Sequence, residues 1–214
     1  MKVIGQQDAT AAEASDGAAP RRTRGVSKNP DEARRKILES AIRLFGRQGF
    51  KATSTEHIAE AAGYSQATVF FHFQTKGGLL KACLDEALER AKALVPTGVH
   101  IGTVALMEKL DKVFDDNPTA EFFARMMLEQ SSNDVVRPIY ADFHAHIRDL
   151  IRNEIVQELG VAAGVANDAA ATILSMMIGV HAEYRVEHVR FGRSDYSSML
   201  LRVTTLLLDS LRRP

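Results

Sequence analysis

The chain has one cysteine, Cys83, and no tryptophan. A single thiol closes no internal disulfide and supplies no cysteine-based zinc cluster. Prolines are also few, 6 in 214 residues, and with 45% apolar residues most of the chain is globular. No run approaches the roughly 18–20 uninterrupted apolar residues of a membrane span. The N-terminus lacks the apolar stretch of a secretory signal. The expected setting is therefore a soluble protein of the reducing cytoplasm, without cofactor or membrane. Its length suits one large domain or an ordinary one with a small companion.

Net charge is absent too: 27 Lys and Arg face 27 Asp and Glu. That zero is a cancellation. Residues 21–81 carry 12 basic and 5 acidic side chains, a net of +7, whereas residues 82–214 carry 14 basic and 19 acidic ones, a net of −5. A basic segment beside an acidic one points to a polyanion partner for the first.

Residues 1–28 have no apolar periodicity and turn basic at Arg21-Arg22-Thr23-Arg24, which reads as a disordered arm. Its basic end is either a solvated tail or an extra contact to DNA. Order begins at Asn29-Pro30, a cap followed by proline at the first helical position. Leu38, Ala41, Ile42 and Phe45 then recur at helical spacing until Gly49. Thr53-Ser54-Thr55-Glu56 opens a short helix that Gly63 stops, and Ser65 caps another through Phe73. Two short helices joined by a glycine-containing turn form a helix-turn-helix. A fourth helix runs from Thr75 to about Val95. Beyond it, punctuation at Asn117-Pro118, Asn133-Asp134, Gly160, Asn167-Asp168 and Gly192 predicts helices over 100–115, 118–131, 134–159, 167–192 and 194–212. The expected fold is all-α with about nine helices: an arm (1–28), a three-helix homeodomain-like head (29–80) and a helical body (81–214).

Thr53-Ser54, Ile58-Ala59, Ala62-Gly63, Thr68-Val69-Phe70-Phe71-His72-Phe73, Lys76 and Leu79-Leu80, in that order, closely resemble the DNA-binding region of the TetR family of bacterial transcriptional regulators. The resemblance covers residues 31–81. It implies a repressor that binds a palindromic double-stranded DNA operator as a homodimer and is released by a small-molecule effector. Ser65 caps the recognition helix, so Gln66 and Ala67 reach base edges, with glutamine suited to adenine and the methyl to thymine. Phe71 is a third contact to base or sugar. By the resemblance, Thr53, Ser54, Thr68, His72 and Lys76 hold phosphates. Two positions depart from the family: Phe70 replaces a phosphate-binding tyrosine, and Gly77-Gly78 replaces an acidic pair, which weakens the start of helix 4 as the lever of induction.

For the body, the resemblance implies dimer contacts and an effector pocket. Wide apolar stripes give Ile173 and Val180 in one helix and Tyr196, Leu200, Val203 and Leu207 in the last as interface candidates. Pocket candidates are Phe114, Phe122, Phe123, Met126, Met127, Tyr140, Phe143, His144, Met176, Met177, His181 and Tyr184, a set suited to an apolar, aromatic or lipid-like ligand. These are also the residues a core uses, and each of them taken alone suits a core better.

A helical enzyme is the rival reading, resting on His144, His146, His181 and His188. Metal ligands on one helix sit at i, i+3 or i+4, a spacing these histidines miss. No phosphate loop or nucleophile elbow is present either, so neither catalytic nor metal-binding residues are expected. A helical scaffold without DNA binding, and a TetR-like activator without small-molecule control, complete the alternatives.

Overall fold

The computed structural model describes residues 29–93, 99–113, 117–187 and 192–212. Among them are nine helices and no strand: α1 (Pro30–Gln48), α2 (Thr55–Ala62), α3 (Gln66–Phe73), α4 (Lys76–Ala93), α5 (Thr103–Val113), α6 (Asn117–Glu129), α7 (Val136–Leu159), α8 (Ala163–Glu187) and α9 (Arg193–Arg212). The expected arm lies outside the described residues.

The first three helices start where short polar side chains satisfy free backbone N–H groups. Asn29 accepts from the N–H groups of Asp31 and Glu32, Ser54 from His57, and Ser65 from Thr68 at 3.2 Å. Gly63 ends α2 in the left-handed region, where a side chain would be strained. Ile37, Phe45, Ile58, Val69 and Phe73 then meet in a core that continues through Leu79, Leu80 and Leu84 of α4 into α7 and α8. Cys83 is fully buried within it, and burial pushes its thiol far above the ordinary range, leaving it unreactive.

Helix boundaries in the body differ from the sequence expectation because distant residues set them. α5 begins at Thr103, not near residue 100. Glu154, buried on α7, accepts the N–H groups of Ile101 and Gly102 at 2.7 Å, and Glu158 accepts that of Thr103. α8 begins at Ala163, four residues early, so Asn167 and Asp168 lie within its first turns instead of capping it.

α6 is the principal bridge between the first helices and the body. Phe122 is 1% exposed and stacks on Phe45 with ring centroids 6.5 Å apart. A Cβ on Gly46 would lie 2.9 Å from the Phe122 nitrogen, so only glycine permits this approach of the two backbones. At the end of α6 both carboxylate oxygens of Glu129 accept the Phe50 N–H, at 3.0 and 3.1 Å. Gly49 (φ 87°) makes that turn, and a side chain there would run into the Glu129 carboxylate.

α8 and α9 pack on each other at the far side of the body. The residues 163–183 of α8 are long and apolar enough to cross a membrane by length and composition, yet only 39% of that window is buried. Four interface candidates, Ile173, Val180, Tyr196 and Leu200, are buried inside the single chain, because these turns face α7 or the α8–α9 seam. Of the six, Val203 is exposed and Leu207 half-buried. The apolar residues that α9 leaves outside are Met199, Val203 and Leu206, the last 68% exposed.

Candidate nucleic-acid interface and effector cavity

α3 buries Val69 and Phe73 against the core. The opposite face carries Gln66, Ala67, Phe70 and Phe71, all exposed. Phe71 is 80% and Phe70 43% exposed, an arrangement with large aromatic area in water. Gln66 is tethered from behind, its Nε2 donating to Thr55 Oγ1 at 2.9 Å. Half-buried Thr68 and His72 flank the face, and His72 lies edge-on to the Phe71 ring at 5.1 Å. Ser54 and Ser65 sit at helix N-termini whose N–H groups suit anions.

Two phosphate candidates serve other roles. Thr53 is 1% exposed, and its hydroxyl donates inward to the Gly49 carbonyl at 2.7 Å and that of Leu44 at 3.2 Å. Lys76 donates to the carbonyls of Phe50 and Thr53 at 2.9 and 3.0 Å, and its ammonium lies 4.4 Å from the Phe50 ring centroid. Burial lowers its pKa. The lysine thus pins α4 to the turn after α1, because that turn ends in inward carbonyls that need a donor. The glycine pair is also not a slack joint. A Cβ on Gly78 would collide with the backbone carbonyl of Phe73, so Gly78 is what lets α4 leave α3 at this angle, with Thr75 Oγ1 capping its N–H at 2.8 Å.

The body contains an apolar cavity of about 70 Å³ among α6, α7 and α8. Ala120, Phe123, Ala124 and Met127 come from α6, and Tyr140, Phe143, His144 and Ile147 from α7. α8 adds Leu174, Met177, Ile178, His181 and Ala182. Each set keeps i, i+3, i+4, i+7 spacing, one helical face apiece. Seven predicted residues are therefore brought together: Phe123, Met127, Tyr140, Phe143, His144, Met177 and His181. Phe122 and Met126 lie on the opposite face of α6 in the core, and Met176 turns away from the lining. Phe114 and the side chain of Tyr184 lie outside the described residues. α4 contributes nothing to the lining, so α6 takes the place of α4 as the element that touches both cavity and head.

Polar tips are few. Burial raises the Tyr140 phenol to about 12, keeping it a donor. His144 is held below the ordinary histidine value by burial and then by the nearby Arg148 cation. His181 Nε2 meets Asp111 Oδ1 at 3.0 Å, while Asp111 Oδ2 accepts from Ser197 at 2.6 Å, a buried string joining α8, α5 and α9. Of the histidines of the enzyme reading, His144 and His181 share the cavity lining, His146 turns to the Asp142 carbonyl, and His188 lies outside the described residues. Sequence reasoning missed Glu129, Glu154, Asp111 and Ser197, whose partners are 52 to 86 residues away.

A capped helix with an open polar and aromatic face, carried on a helical body with an apolar chamber, defines a helix-turn-helix protein. Comparison with known proteins gives matches of two kinds, one to the head and one to the whole fold. Residues 37–83 match the family model described as bacterial regulatory proteins, tetR family. The uncharacterized HTH-type transcriptional regulator YvkB of Bacillus subtilis is 38% identical over 85 residues, 36% of this chain. That match spans 44% of YvkB, under half its length. Among solved structures, a Rhodococcus sp. protein classed as a TetR-family transcriptional regulator superposes with a TM-score of 0.70 at 19% identity, covering 83% of this chain and 99% of that one. A regulator from Saccharomonospora viridis in complex with choline gives 0.60 at 21% identity, over 84% and 96%. Residues 37–83 thus match the DNA-binding region of the tetR family of bacterial regulatory proteins, and the chain as a whole shares its fold with solved structures classed in that family.

Proposed function

We propose that this protein is a transcriptional repressor that binds a palindromic operator in the cytoplasm as a homodimer and leaves it when a small molecule fills the α6–α8 cavity. Residues 29–80 are its reading head, and residues 81–214 the effector-binding and dimerising body. The observation that carries this reading is the outer face of α3. An 80% exposed phenylalanine beside exposed Gln66 and Ala67 serves no purpose in the fold but suits a major groove. Ser54, Ser65, Thr68 and His72 then meet phosphates, and exposed Lys51 replaces Lys76 as the cation. Val203, Met199 and Leu206 with the half-open face of α8 form the dimer contact.

Coupling runs through α6. Its Ala120, Phe123, Ala124 and Met127 touch the cavity, while Phe122 and Glu129 hold α1 and its turn. A ligand that fits only one position of α6 biases the separation of two heads that must match grooves about 34–36 Å apart. The neighbour complexed with choline supports a small-molecule role for such folds.

A gel shift with DNA from upstream of the protein's own gene, at two salt concentrations, tests the reading. A specific, salt-sensitive complex is expected. Phe71→Ala should weaken it by about 1–3 kcal/mol with an unchanged melting temperature. Absence of any specific complex would overturn the proposal.

A further inference from the structure

The apolar cavity does not end at its aromatic wall. Met127, Tyr140, His144 and Ile178 also line an adjoining cleft of about 370 Å³, completed by Gln130, Ala141, Ala145 and Arg148. Chamber and cleft are thus one site with two chemistries. The inner part is lined by Phe123, Phe143, Ile147 and Leu174. The outer part holds Arg148, and among the described residues no carboxylate lines either part.

Arg148 is half-buried, and its Nε is shut off from solvent without a hydrogen-bond acceptor. The acidic residue beside it in sequence, Asp149, pairs with Arg152 at 3.1 Å instead. A guanidinium with a desolvated, unanswered N–H is costly, and a carboxylate accepting in a fork is the group that suits it. Gln130 and His144 stand in the same lining with further donors. At about 70 Å³ the inner chamber is smaller than the roughly 150 Å³ cavity that admits benzene. A ligand must therefore push apart α6 and α8 or lie partly in the cleft.

From this juxtaposition of an apolar chamber with an unpaired arginine at its mouth, we infer that the effector is a carboxylate-bearing amphiphile, an aryl-alkanoic or medium-chain acid. Its apolar body lies against the stacked rings of Phe123 and Phe143, and its carboxylate stays at Arg148. The inference rests on the cavity being the effector site, and it adds the sign of the ligand's charge.

Matched probes separate the two ideas. Binding of 4-phenylbutyrate and octanoate, and of 4-phenylbutanamide and octanamide, is measured by calorimetry on the full chain, on Arg148→Gln and on Ala124→Phe, which fills the chamber. At least one acid should bind about tenfold or more tightly than its amide, the worth of one charge-assisted pair. Arg148→Gln should abolish that preference by weakening the acid alone, and Ala124→Phe should remove both partners. Equal binding of acid and amide, both blocked by Ala124→Phe, overturns the anionic class and leaves the cavity reading standing. An acid preference that survives Arg148→Gln also overturns it. Binding that ignores Ala124→Phe, or no binding by any probe, overturns the cavity reading and this inference with it. Circular dichroism melting of each variant confirms that it is folded.

Discussion

The head and the body hold themselves together in different ways. In the head, polar side chains bond close by in sequence: Asn29 to Asp31 and Glu32, Ser54 to His57, Ser65 to Thr68 and Thr75 to Gly78. In the body the decisive bonds cross the chain, from Ile101 to Glu154 and from Ser197 to Asp111. The joint between the two regions is of the second kind, with Glu129 reaching back to Phe50. Local bonds set where the helices of the head begin, while Lys76 and the core shared with the body hold those helices in place. Long-range bonds make a body in which a change at one helix is felt at others.

The contrast can be broken first at the joint. Phe122→Ala should cost about 3–5 kcal/mol in chemical denaturation, as for a buried ring that leaves a hole. A loss of less than about 1 kcal/mol would mean that head and body are only loosely tied. At the α3–α4 corner, Gly78→Ala should cost about 2–3 kcal/mol, since backbone must yield. Gly77→Ala should cost less, because its Cβ meets only the flexible Val135 side chain at 3.3 Å. Equal costs would show that the corner is pliable.

Lys76→Met strands two inward carbonyls and should destabilise by about 1–3 kcal/mol, while the slope of DNA affinity against salt stays unchanged. A shallower slope without loss of stability would restore a phosphate role for this lysine. The smallest effect belongs to pH. The folded-state pKa of His144 lies below the ordinary 6.5, so the unfolded chain takes up the proton first as pH falls. Its contribution is intact above 6.5 and is lost as pH drops through the interval below. Between about pH 7 and 5, stability of the wild type should therefore fall more than that of His144→Phe. Parallel curves would show that the imidazole is effectively solvated.

These differences explain what could be read in advance. The caps at Asn29, Ser54 and Ser65 and the stop at Gly63 act within a few residues, so their spelling shows in the chain. The inward bonds of Thr53 and Lys76 were not legible, because whether a hydroxyl or an ammonium points in or out depends on where the turn after α1 aims its carbonyls. On α6, Phe122 and Phe123 are adjacent in sequence and chemically identical, yet one stacks on Phe45 and the other on Phe143 at 5.0 Å. Their spacing signalled two faces without saying which faced the cavity. The same ambiguity hid the burial of Ile173, Val180, Tyr196 and Leu200 within the single chain.

By itself, then, the sequence determined the helical class, the position of the capped helix α3 and the division of charge between residues 21–81 and the rest of the chain. Each follows from period, capping or composition, which operate at short range. Only the tertiary structure decided which stripes enclose the chamber, which apolar residues remain outside, and that α6 joins cavity to head. Those outcomes depend on which helices come within a side chain's reach, a choice made by packing between residues 50 to 90 positions apart.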